Sequence, residues 1–345
     1  MTALTRDDLG WSPFFMSQLD LDEVRSATPA RITGVHRDRV NALAEDGPLE
    51  LTLDPGITTA EVAVGDWVLC RPDQHRLTRV LDRQTELSRG TEYHTGEKQL
   101  IAANLDTLFI TTSCNEDFNV ARLERYLALA HDALITPVIL ITKADTVPDP
   151  DLYIAQARAL GRDLEVLAID AKTEDVAQRL ADWCGAGQTV AFAGSSGVGK
   201  TTIANALTGG NAVTRDIRAD DAKGRHTTTG RSLHRMTGGG WLIDTPGMRG
   251  LGVAEVAFGI DATFPEISET ATLCKFRDCA HESEPGCAVR AAIERGEIDP
   301  ERLRRFNKLK RENTQATETI AQARDRNRKF GKMVRSATKG KKSRQ

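Results

Sequence analysis

The chain has 345 residues, 40% of them hydrophobic and 28% charged, with a formal net charge of −3. That length holds two or three domains with cores of their own, in the balance of a soluble globular protein. No run approaches the eighteen apolar residues of a membrane-spanning helix, which excludes such a span.

The N-terminal MTALTRDDLGWSPFF lacks the basic stretch and apolar core of a secretory signal. The expected compartment is therefore the cytoplasm, where thiols stay reduced. Charge is unevenly spread: residues 301–345 hold 16 Lys/Arg against 4 Asp/Glu, a local +12 that leaves −15 for the rest. A basic end on an acidic body is either a polyanion contact or a solvated helix with a disordered tail, and charge alone leaves both open.

In chain order, residues 1–29 form a polar, weakly patterned extension expected to be poorly ordered. Over 30–90 the text turns to short β-like runs (ARITGVHRDRVNAL, LELTL, VAVGDWVLC, HRLTRVL) punctuated by Gly and Asp. They predict a small antiparallel barrel, OB-fold or SH3-like. Over 91–255 strands alternate with helices. DTLFITT, PVILIT, LEVLAI, TVAFAG and GWLID read as strands, while NVARLERYLALAHDAL carries Val120, Leu123, Leu127 and Ala130 at helical spacing. That rhythm predicts a mostly parallel α/β sheet. Residues 256–345 contain a Cys-bearing irregular stretch, the helical segments CAVRAAIERG and PERLRRFNKLKRENTQATETIAQARDR, and the basic tail.

The strand TVAFAG runs into Gly194, Ser195, Ser196, Gly197, Val198, Gly199, Lys200 and Thr201, and a helix opens with Thr202 next. This is the phosphate-loop pattern in the context it requires. Its amides and helix N-terminus can cradle phosphate oxygens, with Lys200 reaching the β- and γ-phosphates and the Thr201 hydroxyl on Mg²⁺. Downstream, Asp244 ends a strand and opens Asp-Thr-Pro-Gly247. Asp244 is placed to hold Mg²⁺ and the Gly247 amide to sense the γ-phosphate. Between them KGRHTTT offers a switch threonine for Mg²⁺, Thr228 or Thr229, and spacing does not choose between them.

Upstream of the phosphate loop, Thr142, Lys143, Ala144 and Asp145 follow the strand PVILIT. A carboxylate at Asp145 can accept from guanine N1 and N2, which adenine cannot match, while the Lys143 stem packs on the ring. The next strand ends in Asp170, Ala171 and Lys172, which fits a second base loop. The order is base loops, phosphate loop, switch I, switch II: a GTPase re-cut behind switch II and joined at its old ends. Cys274, Cys279, His281 and Cys287 lie within fourteen residues as Cys-x4-Cys-x-His-x5-Cys. Three thiolates and an imidazole make a closed, structural Zn²⁺ site, favoured here over free thiols.

Together these residues resemble the circularly permuted ribosome-biogenesis GTPases of the RsgA (YjeQ) type. IAANLDTLFI, GSSGVGKTT, KGRHTTT, DTPG and the Cys/His loop carry the match, which spans nearly the whole chain. The resemblance implies an N-terminal OB-fold, a permuted P-loop GTPase domain and a C-terminal zinc-binding, helical domain. It further implies late maturation of the small (30S) ribosomal subunit, with its 16S rRNA as partner, and a monomer is expected. Because the chain leaves switch II directly into the zinc domain, loss of the γ-phosphate is expected to reorient that domain, so that barrel and tail grip rRNA in the GTP state and loosen after hydrolysis. The chain departs from the family pattern at Thr142, where Asn is usual, at Asp170, where Ser is common, and in its extension.

Met248 follows Asp-Thr-Pro-Gly and cannot orient water, so turnover is expected to be slow until the ribosome completes the site. His226 is a candidate to position that water, and a loop residue binding RNA or nothing is its equal alternative. Rival readings are an ATP-dependent enzyme with a coincidental TKAD, and a nucleotide-gated RNA-binding protein with little hydrolysis.

Overall fold

The computed structural model describes residues 4–90, 98–171, 173–210, 231–244 and 256–317. The chain divides into two units. One comprises Met1–Ser88, Leu100–Leu251 and Phe258–Pro265; the other comprises Arg89–Gln99, Gly252–Ala257 and Glu266–Gln345.

The first unit opens with helices α1 (Pro13–Met16) and α2 (Leu21–Ser26). Asp20 and Glu23 form a reciprocal capping box at the start of α2. The extension is therefore not loose, contrary to the sequence expectation. Leu9 and Phe15 are fully buried, Trp11 meets Trp67 edge-on at 4.8 Å, and Trp241 Nε1 donates to the Asp8 carbonyl at 2.7 Å. Apolar residues at irregular spacing carry no period, so pattern reading overlooks a segment that folds only against its neighbours.

Strands β1 (Thr28–Val35), β2 (Val40–Ala44), β3 (Gly47–Leu53), β4 (Trp67–Arg71) and β5 (Arg76–Val80) run in the order β1-β2-β3-β5-β4, and β4 pairs back onto β1. This is a closed, OB-like barrel. Strict alternation along β2 sends Val40, Ala42 and Ala44 into its core. The β3–β5 pair is parallel, an exception to the antiparallel barrel expected.

After a two-stranded sheet of β6 (Glu86–Gly90) and β7 (Lys98–Ala103) comes the α/β part. Its elements are β8 (Thr107–Ser113), α3 (Val120–Asp132), β9 (Thr136–Thr142), α4 (Asp151–Arg158), β10 (Glu165–Ile169), α5 (Val176–Arg179), β11 (Thr189–Ala193), α6 (Lys200–Thr208), β12 (Ser232–Arg235) and β13 (Trp241–Asp244). Strands β10-β9-β8-β11-β13 are parallel, β12 is antiparallel to β13, and β12 meets β1 at Ser232 and Gly34. Every residue of β8 and β11 is buried, as befits central strands covered on both faces. Phe109 of β8 stacks on Phe192 of β11 at 5.3 Å within that core.

Helix α7 (Ala257–Thr263) follows. Its Gly259 lies so close to α3 that a Cβ there would fall 1.8 Å from the Ala128 carbonyl oxygen, and its amide donates to Asp132 Oδ1 at 3.0 Å.

The second unit contains α8 (Pro265–Ala271), α9 (Ala288–Glu294) and α10 (Pro300–Thr317). Leu303, Phe306 and Leu309 form the buried stripe of α10, and Arg302 pairs with Glu266. No described helix is long and apolar enough to cross a membrane.

Candidate nucleotide site and metal centre

Strand order reverses between β8 and β11. From β8 the chain proceeds outward through β9 and β10, whereas β11 and β13 lie on the other side. In open parallel sheets the crevice beyond the carboxyl ends at such a switch point is where ligands bind. The loops leaving β9, β10, β11 and β13 at that edge are the TKAD loop, the Asp170 loop, the phosphate loop and Asp244. Register confirms the alignment, with Thr142 opposite both Ser113 and Ile169, and Ala193 opposite Ile110.

Gly194 leaves β11 with φ 132°, and a Cβ there would fall 2.1 Å from the Thr111 carbonyl oxygen. Only glycine fits beneath β8 at this position. Gly199, in the left-handed region, turns the chain into α6, which begins at Lys200. The Lys200 ammonium donates to the carbonyls of Gly194, at 2.8 Å, and Ser195. Ser196 and Gly197 are exposed at the loop's tip, Val198 is buried beneath it, and Thr201 is half-buried beside exposed Thr202.

Thr142, 5% exposed, is oriented away from solvent. Its hydroxyl has two acceptors in reach, the Val198 carbonyl at 2.6 Å and the Thr112 carbonyl at 3.1 Å. Lys143 takes a left-handed conformation (φ 58°), and a short 3-10 turn over Ala144–Thr146 leaves Asp145 exposed. At the second base loop, Asp170 Oδ2 accepts from the Thr173 hydroxyl at 2.6 Å, and Ala171 packs on the sheet's core. The structure thus gathers Thr142 to Asp145, Ala171, Gly194 to Thr202 and Asp244 at one edge. Lys172, His226, Thr228, Thr229 and Gly247 lie outside the described residues.

In the second unit, Cys274, Cys279, His281 and Cys287 bring one ligand atom each to within 4.8 Å of the others. Around a tetrahedral Zn²⁺, sulfurs sit about 3.8 Å apart and sulfur to nitrogen about 3.6 Å. Cys274 Sγ lies 3.9 Å from Cys287 Sγ and 3.6 Å from His281 Nδ1, which is 3.4 Å from Cys287 Sγ. The donors therefore fit one such ion. Burial holds His281 below its ordinary pKa, favouring the neutral imidazole that a metal needs. Cys287 caps α9 by accepting from the Arg290 amide at 3.4 Å. Cys274 is pulled below its usual pKa against its burial, by hydrogen bonds from the Val289 and Ala288 amides. The Cys274 sulfur is thus biased toward thiolate by amides of the first turn of α9.

A family model described as RsgA GTPase matches residues 80–254, and one described as 50S ribosome-binding GTPase matches 189–322. The chain is 56% identical over 314 residues to the small ribosomal subunit biogenesis GTPase RsgA of Mesorhizobium japonicum, covering 90% of each chain. The chain belongs to the RsgA GTPase family. It is accordingly a GTP-hydrolysing enzyme. Among solved structures it resembles YjeQ from Thermotoga maritima (25% identity, TM-score 0.62, 82% of this chain and 97% of that one). It also resembles YloQ, a circularly permuted GTPase (26% identity, TM-score 0.58, 81% and 92%). The permuted order inferred from TKAD preceding GSSGVGKT is thus the family's own.

Two features of this RsgA-family chain escape sequence reading. Arg122 and Tyr126 adjoin the phosphate loop, and Asp117 pairs with Arg122, although NVARLERYLALAHDAL reads only as an amphipathic helix. The available signal was an Arg and a Tyr one turn apart on the helix after β8, the strand beside β11. In the Cys/His loop, the Glu284 carboxylate accepts from the amides of Ala280, Glu282 and Ser283 at 2.9–3.0 Å. Those bonds, that of Ala280 foremost, hold its pKa down to about 2 and fix the turn between His281 and Cys287.

Proposed function

We propose that this GTPase acts on the small ribosomal subunit, binding its rRNA in the GTP state and letting go after hydrolysis. The observation that carries the subunit is the 56% identity, over 90% of both chains, to a relative named for small-subunit biogenesis. The single sheet edge bearing TKAD, GSSGVGKT and Asp244 supports the assignment of roles. Asp145 and Lys143 read guanine; Ala171 and Lys172 complete the base pocket; Gly194 to Thr202 hold the phosphates; Thr201 and Asp244, with Thr228 or Thr229, are the Mg²⁺ ligands. Mg²⁺, when bound with the nucleotide, supplies charge neutralisation at the phosphates. Lys200 and the loop amides supply the protein's share, and His226 is the candidate for orienting water. Zn²⁺ at Cys274, Cys279, His281 and Cys287 is structural.

On α10, Arg304, Lys308 and Arg311 recur at helical spacing on the exposed side, opposite Leu303, Phe306 and Leu309. Such a stripe suits a phosphate backbone. The protein works as a cytoplasmic monomer in this reading.

The test is phosphate release from GTP with and without purified small subunits, at two salt concentrations. Subunits are expected to stimulate turnover, and binding is expected to weaken with salt. Stimulation by large subunits alone, or by neither, would reject the reading.

A further inference from the structure

Helix α3 begins a short loop after β8 and passes the start of the phosphate loop. Two of its residues, one helical turn apart, touch that loop. Arg122 Nη1 donates to Ser195 Oγ, and a hydrogen bond joins the Tyr126 hydroxyl, on a side chain only 4% exposed, to the backbone of Gly194. Neither side chain is loosely held. Arg122 Nη1 also donates to Asp117 Oδ1 at 2.7 Å. Asn115 Oδ1 accepts from the Asp117 amide and the Ser113 hydroxyl, each at 2.9 Å. Asn119 caps α3 by accepting from the Arg122 amide, which fixes where Arg122 leaves the helix. A continuous set of hydrogen bonds therefore runs from the carboxyl end of β8, through Asn115, Asp117 and Arg122, to Ser195.

Gly194 and Ser195 set the direction of every amide that follows them in the loop. Gly194 is confined on one side by Thr111, and Lys200 donates to the carbonyls of both residues. From the α3 side, only Arg122 and Tyr126 hold this pair among the contacts described. We propose that Arg122 and Tyr126 are positioning residues, through which α3 holds Gly194 and Ser195 ready to receive phosphate before nucleotide arrives. Arg122 acts through Ser195. This rests on the assignment of 194–201 to the nucleotide phosphates. GDP and GTP use the same amides, so losing the preformed loop weakens both and leaves turnover at saturation little changed.

The experiment uses the full-length, zinc-loaded chain. It measures dissociation constants for fluorescent GDP and GTP analogues, hydrolysis at saturating GTP, and melting temperature. The variants are Arg122→Ala, Arg122→Lys, Ser195→Ala, the Arg122→Ala/Ser195→Ala double, and Tyr126→Phe. Arg122→Ala is expected to weaken both nucleotides on the order of tenfold, the scale of one charge-assisted hydrogen bond. Saturated turnover is expected to stay near the wild-type rate. Arg122→Lys recovers part of the loss, and the double variant is no worse than Arg122→Ala alone.

Additive losses in the double variant would overturn the proposal, since Arg122 would then not act through Ser195. Lower saturated turnover with unchanged affinities would also overturn it, by placing the guanidinium at the reacting phosphate. If Arg122→Ala lowers the melting temperature, Tyr126→Phe, which removes one oxygen, decides: unchanged nucleotide affinity rejects the proposal. A wild-type chain that binds neither nucleotide would instead remove the site assignment beneath it.

Discussion

The hydroxyl of Thr142 donates to the Val198 carbonyl across 2.6 Å, joining the base loop to the phosphate loop. Where the family pattern has Asn, this chain keeps a side chain whose single proton is used within the protein. Replacing Thr142 with Val preserves shape and removes that proton. It leaves the buried Val198 carbonyl without this donor, which costs about 1–2 kcal/mol. Thr142→Val should lower the melting temperature and weaken GTP and GDP several-fold, whereas Thr142→Ser should stay near wild type. Equal affinities in a nucleotide titration of all three proteins would refute this.

Because Thr142 is occupied inside the fold, the proposed assignment leaves base identity chiefly to Asp145. An exposed carboxylate on the 3-10 turn can accept from both guanine N1–H and the 2-amino group. An amide offers one acceptor and one donor, which suits xanthine N1–H and its 2-oxo group. Asp145→Asn should therefore weaken GTP by on the order of a hundredfold, the cost of setting donor against donor at the 2-amino group and losing the charged acceptor at N1–H. Xanthosine triphosphate should support hydrolysis in the variant, and a competition assay against GTP, ATP and xanthosine triphosphate measures the exchange. Unchanged preference for GTP would show that the guanine contact lies elsewhere.

What was legible in the sequence shares a cause. Phosphate loop, base loop and Cys/His cluster are made by residues close along the chain, in backbone shapes that demand particular residue types. Gly194 had to be glycine because Thr111 leaves no room, and that demand is visible in GSSGVGK without knowing the neighbour. The barrel was legible through alternation such as that in β2, but the parallel β3–β5 pair was not, since pairing direction leaves no periodic trace. Contacts set only by strand order stayed hidden: Arg122 reaches Ser195 because β8 neighbours β11. The extension was misread because Leu9, Trp11 and Phe15 follow no period. Their burial depends on Trp67 and Arg31, far along the chain.

The metal centre should carry structural weight in its own unit. Cys287 is one of the four candidate ligands and also the cap of α9, so Cys287→Ala removes both. The purified wild-type chain is expected to hold one Zn²⁺, and Cys287→Ala much less than one. Proteolysis should then cut between Cys274 and Arg295 far faster in the variant, because ligand-binding energy in such loops is folding energy. Chelation of the wild-type chain should reproduce that cleavage. A full zinc complement in Cys287→Ala would contradict the four-ligand assignment.

His131 gives the first unit a dependence on pH. Its Nδ1 lies 3.1 Å from Thr263 Oγ1, which itself donates to the Gly259 carbonyl at 2.7 Å, so the imidazole is the donor to the threonine. Burial lowers its pKa from the ordinary 6.5. Near and below that value the unfolded chain takes up the proton more readily than the folded one. The stabilisation is present above 6.5 and is lost as pH falls through the lower folded pKa. His234, also lowered by burial and opposed by Asp244, acts in the same direction. The melting temperature should fall between about pH 7 and pH 5, less steeply in His131→Gln, with the His234 share remaining. Parallel melting curves across pH for variant and wild type would exclude the role.

Arg31 is almost wholly enclosed and connects three parts of the first unit. Its Nη1 donates to the Leu9 carbonyl at 2.6 Å, and its Nη2 to Thr189 Oγ1 at 2.7 Å and to the Asn104 carbonyl at 3.3 Å. Burial pushes its pKa down to about 10, with Asp106 and Asp66 opposing that shift, so at neutral pH it remains a charged strut. Thr189 opens the strand that carries the phosphate loop, and its amide donates to Asp106 Oδ2 at 2.7 Å. Arg31→Met keeps most of the volume but strips the acceptors of their donor and Asp106 of its nearby cation. Relief of the guanidinium's own desolvation offsets part of that loss, leaving a net destabilisation of about 3 kcal/mol. The loss should appear first at the N-terminus: limited proteolysis is expected to clip the segment before Thr28 in Arg31→Met under conditions where wild type is resistant. Nucleotide affinity should fall only as far as global unfolding accounts for. An extension that resists protease in the variant as well as in wild type would show that Trp11, Phe15 and Trp67 hold it without the arginine.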